Sequence, residues 1–143
     1  MKVQKITPFL WFSSKAEEAA KFYTTVFKNS KIISSTPMVT TMEIEGLQVM
    51  FLNGGPHFKL NEAFSLLINC ENQEDIDYYW NKLTAGGEES QCGWLKDKYG
   101  VSWQVVPTVL GKLMSDPSKV QKVTAAFMKM KKFNIRELEE AAV

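Results

Sequence analysis

The alternation of apolar and polar residues predicts an α+β protein. It consists of two βαβββ modules that form a curved mixed sheet around a cavity, followed by C-terminal helices. Three observations carry this prediction. An extended apolar run, an amphipathic helix and further extended runs follow one another in about residues 1–53 and again in about 63–107, with three further runs in the first half and two in the second. The two helices align with Phe22-Tyr23 on Tyr79-Trp80, 57 positions later, and the closing strands align with Val49–Asn53 on Ser102–Val106, 53 positions later. A unit of about 55 residues present only twice is too long and too few for a solenoid. The whole chain, 143 residues and 45% apolar, can bury one full core without a disulfide or structural metal, so residues 1–143 read as one domain.

The first strand is Ile6–Phe12, rich in β-branched and aromatic residues and stopped by Ser13-Ser14. Ser14 with Glu17 forms a capping-box pattern, in which the hydroxyl and the carboxylate each satisfy a free backbone N–H. The helix it opens carries Ala16, Ala19, Ala20, Tyr23, Val26 and Phe27 on one face. Lys31–Thr36, Met38–Ile44 and Leu47–Asn53 are the next strands, and Glu45-Gly46 is a two-residue hairpin loop. In the second module, Phe64–Cys70 is a strand, and Asn72 caps a helix with Ile76, Tyr79, Trp80 and Leu83 on its inner face, ending at Gly86-Gly87. Ser90–Leu95 and Val101–Val106 are extended, with a turn at Asp97–Gly100 between them. In the tail, about 108–143, Asp116-Pro117 reads as a helix cap and first-turn proline ahead of Val120, Val123, Phe127 and Met130. Asn134 and Glu137 start a last helix bearing Ile135 and Leu138.

Composition excludes several function classes. A net charge of +1 supplies no basic field for nucleic acid, and the run Lys129, Lys131, Lys132 is followed at once by Glu137, Glu139 and Glu140. No uncharged apolar run approaches the ~18 residues of a membrane span. Pro8 interrupts the only N-terminal stretch that could be read as an export signal. Cys70 and Cys92 match no zinc or redox spacing and suit a reducing compartment, so the expectation is a cytoplasmic protein. The amphipathic tail and the open curved sheet leave more apolar surface than one copy readily covers, which predicts a homodimer.

Paired βαβββ modules resemble the vicinal oxygen chelate superfamily of glyoxalase I, extradiol dioxygenases and bleomycin-resistance proteins. Glu17-Glu18-Ala19 leading to Phe22-Tyr23 and Val26-Phe27, the run Cys92–Gln104, and the tail Ala126–Lys132 are similar to its PhnB-like branch, which carries the label 3-demethylubiquinone-9 3-methyltransferase. The resemblance implies four metal-ligand positions at strand sites, which fall on Pro8, Phe51, Ser65 and Gln104. Proline and phenylalanine cannot ligate a metal, and serine and glutamine are poor donors for a transition metal. A slip of one residue brings in Leu52, Met50, Val105, Trp103, Phe64 or Leu66, which are no better. The expectation is therefore no metal and no cofactor. The Gly-rich strand-turn-helix of a nucleotide-like cofactor site is also missing, because Gly54-Gly55 runs into Pro56.

Strand alternation then assigns the face of those positions to Pro8, Leu10, Phe12, Val49, Phe51, Asn53, Ser65, Leu67, Asn69, Ser102, Gln104 and Val106. Such an apolar concavity with a few amides and hydroxyls suits a small organic ligand, although a collapsed core face would show the same pattern. The candidate ligand contacts are Leu10, Phe12, Phe51, His57, Ser65, Trp94 and Gln104. His57 reads either as a group at the cavity mouth or as a solvated loop residue, and Trp103 as core. Two functions stay open: a metal-free binding module, and an enzyme of unknown reaction using Gln104, Ser65 and His57.

Overall fold

The computed structural model describes residues 3–143. The chain divides into two compact units, the first ending at Asn61 and the second starting at Glu62, and the tail belongs to the second. No helix among the described residues is long and apolar enough to cross a membrane.

Module 1 runs β1 (Phe9–Phe12), α1 (Ala16–Val26), β2 (Ser30–Ser35), β3 (Val39–Ile44) and β4 (Leu47–Asn53). Its sheet has the order β1-β4-β3-β2, with β1 parallel to β4 and the other pairs antiparallel. Glu45 and Gly46 both have positive φ, 49° and 86°, as a two-residue hairpin loop requires, and this fixes the β3–β4 register. The small residues Ala16, Ala19 and Ala20 let α1 lie close on the sheet, where Tyr23 and Val26 complete its buried face. The expected capping box does not form. Lys15 is the N-cap and gives no side-chain cap, while the Ala16 N–H donates to Asn53 Oδ1 at 2.8 Å, so the end of β4 satisfies the start of α1.

Module 2 runs β5 (Ser65–Cys70), α2 (Gln73–Thr84), β6 (Glu88–Glu89), β7 (Trp94–Lys96) and β8 (Ser102–Pro107). Its order, β5-β8-β7-β6, repeats that of module 1. Asn72 caps α2 as expected, accepting from the Asp75 N–H at 2.8 Å. The extended run expected at Ser90–Leu95 is instead a loop from 90 to 93 between two very short strands. Cys92 and Gly93 both have positive φ there, 58° and 82°, which a continuous strand cannot accommodate. Their N–H groups donate to the carbonyls of Met130 and Lys131 in the tail, each at 2.8 Å. A Cβ on Gly93 would lie 2.5 Å from the Phe133 ring, so only glycine admits that ring. At the turn before β8 the buried Asp97 carboxylate accepts from the N–H groups of Tyr99 and Val101 and from Trp103 Nε1, at 2.9, 3.1 and 2.8 Å.

The tail holds α3 (Thr108–Met114), α4 (Val120–Phe127) and α5 (Ile135–Ala141). Asp116-Pro117 is a turn ahead of α4 rather than its cap. The Asp116 carboxylate accepts from the Ser118 N–H and hydroxyl, and the helix begins only at Val120. The helix α3 carries no cap residue and no buried side chain, which left no periodic signal to predict it. Gln73 fastens the tail to α2: its amide donates to Phe133 O at 3.0 Å and accepts from the Ile135 N–H at 2.9 Å.

Candidate functional site

In each module one sheet face is covered by its helix and the other is not. The uncovered face of module 2 carries Ser65, Leu67 and Asn69 on β5, Ser102, Gln104 and Val106 on β8, and Trp94 and Lys96 on β7. The registers place them in rows: Ser65, Ser102 and Lys96 lie side by side across three strands, as do Leu67, Gln104 and Trp94. Gln104 Nε2 donates to Ser65 Oγ at 3.0 Å, which orients the amide. Leu67 is 47% exposed beside that amide. Leu66, Leu95, Trp103 and Val105 take the opposite side, and Trp103 is core as expected.

Module 1 corrects the sequence reading. Leu10, Phe12 and Phe51 were assigned to the open concavity, but they lie beneath α1. Phe51 is 1% exposed, with its ring 5.1 Å from Phe12 and 5.8 Å from Tyr23 of the helix. The open side of that sheet belongs to the alternate residues Phe9, Trp11, Met50 and Leu52. For Leu10 and Phe12 the physical reason is a loop before the helix that is one residue shorter in module 2; for Phe51 it is that the buried pairs Val49 with Trp103 and Phe51 with Val105 stand 54 positions apart and not 53. Phe12 and Cys70, the buried ends of β1 and β5, stand 58 positions apart, whereas the buried helix pairs Tyr23 with Trp80 and Val26 with Leu83 stand 57 apart. An odd error in strand spacing moves every side chain to the other face.

His57 is exposed in the loop after β4, within the first unit. The glycines before it serve packing. A Cβ on Gly54 would lie 2.4 Å from the Trp11 indole, and Trp11 Nε1 donates to Gly55 O at 2.9 Å. Trp94 lines a cleft of about 380 Å³ at the β6–β7 edge, together with Glu62, Glu88, Glu89, Ser90, Gln91, Leu95 and Lys96. Lys96 is ion-paired with Glu62; this contact holds the carboxyl below its ordinary range and the ammonium above its own. Lys96 was missed in the sequence, although its spacing of two from Trp94 puts it on the same face.

The superfamily's divalent metal does not fit these residues. The face correction replaces Phe51 by Met50 and puts Thr7 or Phe9 in place of Pro8. The set still contains no imidazole, thiolate or carboxylate, while Ser65 and Gln104 already bond each other.

Two βαβββ modules, each with a mixed four-stranded sheet left open on one face, define a glyoxalase-like protein of the vicinal oxygen chelate class. Within it, a family model described as 3-demethylubiquinone-9 3-methyltransferase matches residues 4–106, and the chain belongs to that PhnB-like family. A PhnB protein from Bacillus cereus bearing the same description is 36% identical, over 73% of this chain and 100% of its own, with a TM-score of 0.67. The fosfomycin resistance protein FosX from Listeria monocytogenes, solved with Mn(II) and sulfate, shares the fold at 14% identity (80% of this chain, 98% of its own, TM-score 0.59). A glyoxalase-related enzyme from Fulvimarina pelagi does so at 11% (73% and 89%, TM-score 0.52). No curated protein matches significantly. The family match stops before the tail, whose segment Ala126–Lys132 had been counted in the resemblance.

Proposed function

We propose that the chain binds a small organic molecule, without a metal, on the open face of the module 2 sheet. The observation that carries this is the Gln104–Ser65 pair set between Trp94 and the exposed Leu67. A few oriented neutral polar groups among apolar walls are what a small-molecule site uses to fix orientation while contact area supplies affinity. The donor chemistry favours metal-free binding, because two neutral oxygens do not hold a transition metal. The family's methyltransferase description finds no matching cradle in Gly54-Gly55, which is accounted for by Trp11. The carboxylate pairs Glu17-Glu18 and Glu74-Asp75 sit in the first turns of α1 and α2, where they complement the helix dipoles.

Native mass spectrometry of protein purified without a histidine tag tests the reading. A retained organic molecule, or one captured from a fragment set and lost in Gln104→Ala, is the expected result. Stoichiometric zinc, nickel, manganese or iron that Gln104→Ala abolishes would overturn it. We further propose a cytoplasmic homodimer, on the strength of the exposed Phe9, Met38, Phe58 and Phe64 and of the two free cysteines. Light scattering is expected to give about twice 16.3 kDa, and a monomer mass at micromolar concentration rules the dimer out.

A further inference from the structure

We propose that the tail is a positioning element of the binding face: by holding Cys92 and Gly93 it sets Trp94 beside Gln104, so that tail docking and ligand binding strengthen each other. This rests on the reading of the module 2 face as a binding surface and adds to it a part from outside the matched family domain, which ends at residue 106.

Trp94 is the first residue of β7, a strand of only three, so the ladder with β8 holds it from one side. On its other side stands Gly93, whose N–H donates to Lys131 O in the tail and whose carbonyl accepts from the Val105 N–H of β8, each at 2.8 Å. Cys92 is tied to the tail twice, by its N–H to Met130 O at 2.8 Å and by its thiol to Phe127 O at 3.6 Å. Its φ of 58° is a left-handed conformation that a residue with a Cβ keeps only where its surroundings impose it, and outliers held in this way gather at functional sites. Here the surroundings are the tail. The sequence of Ser90–Leu95 reads as one extended run, so a second path is open to this segment once the tail lets go. On that path Cys92 and Gly93 alternate sides instead of turning back, and Trp94 loses the orientation that places it in one row with Gln104 and Leu67. Gln73 grips the tail at a distance from all this, through Phe133 O at 3.0 Å and the Ile135 N–H at 2.9 Å, while the Phe133 ring sits over Gly93. Loosening that grip reaches Trp94 only through the tail. Two binding events that favour the same state of one element must strengthen each other reciprocally.

Benzamide, with a ring for Trp94 and an amide for Gln104, is the probe. Its binding is read from the indole N–H signal of Trp94, assigned with Trp94→Phe, and from the Gln104 side-chain amide, both of which it is expected to shift saturably. Gln73→Ala, and more strongly Phe133→Ala, should speed hydrogen exchange at the Gly93 N–H, move the Trp94 signal and loosen benzamide by about fivefold, the low end of coupling between sites. In the wild type, saturating benzamide should in turn slow exchange at Cys92 and Gly93. Asn72→Ala, which weakens α2 without touching the tail, should do none of this. If the tail is released while the Trp94 signal and benzamide affinity stay put, or if Asn72→Ala loosens benzamide as much as Gln73→Ala does, the positioning role falls and the binding face stands. Should benzamide be silent in the wild type, a member of a fragment set that moves both signals takes its place. If none does, the binding face falls and the positioning role with it.

Discussion

The two modules share a strand order but finish their sheets differently. In module 1 the outer strands β2 and β3 are six residues each, and the hairpins close on themselves. In module 2 the corresponding β6 and β7 shrink to two and three residues, and the work passes to side chains and to the tail. Asp97 gathers three donors at one turn, Glu89 ties β6 to Trp80, and the tail carbonyls of Met130 and Lys131 receive the N–H groups of Cys92 and Gly93. The lesson is that a repeated topology can rest on ladder hydrogen bonds in one copy and on a polar network in the other. The shortened edge is also what opens the cleft beside Trp94.

The largest expected effect lies in module 1. Phe51→Asp places an unpaired charge under α1 and should cost about 4–5 kcal/mol or unfold the module, whereas Glu88→Ala at the exposed edge of module 2 should leave the urea midpoint nearly unchanged. Equal midpoints for the two would break the contrast. Asp97→Ala comes next. It removes the acceptor of three hydrogen bonds at a buried turn, and a loss of about 3 kcal/mol is expected. Hydrogen exchange should show faster opening in module 2 with module 1 amides little changed; uniform loosening of both would show that the network is not local.

A smaller, matched pair is Asn53→Ala and Asn72→Ala. Each removes the acceptor for a helix N-terminal N–H, worth about 1 kcal/mol in a thermal or urea titration. Asn53 also donates to Pro37 O at 3.0 Å, so its loss should be the greater. The smallest effect is on pH. The Lys132 ammonium, 2.8 Å from Asp77, and the Gln73 amide hold that carboxyl below its ordinary range. A lowered folded pKa adds stability above the unfolded value of about 3.9 and loses it as pH falls through the folded one. Acidification below about pH 4 should therefore speed exchange at the α2–tail junction of wild type, by a small margin because the pair is exposed, and should not do so in Asp77→Asn.

The internal repeat was legible because helices and tight turns advertise themselves locally. The buried pairs Tyr23 with Trp80 and Val26 with Leu83, the positive-φ pair Glu45-Gly46, and the caps Asn72 and Asn134 could all be read from spacing and residue type. The module 2 face, with Ser65 and Gln104 on one side, was readable from alternation. The module 1 face was not: carrying the helix spacing through a loop that differs by one residue exchanges Leu10 and Phe12 for Phe9 and Trp11, and a strand offset of 53 where the buried residues keep 54 exchanges Phe51 for Met50. The Asp97 network was hidden for another reason. A turn of the type Asp97–Gly100 reads as solvated, and nothing in its composition shows that Trp103 folds back onto the carboxylate.

The pairing of Cys92 and Gly93 with Met130 and Lys131 also orders events in time. Module 1 has every strand it needs once Asn53 has been made, so it can fold while the rest of the chain is still being synthesised. Module 2 cannot seat Phe133 against Gly93, or satisfy those two N–H groups with tail carbonyls, until nearly forty further residues have followed the loop that waits for them. During that interval the short β6–β7 hairpin is exposed, so the second half of the molecule is the one that would need sheltering in a crowded cell.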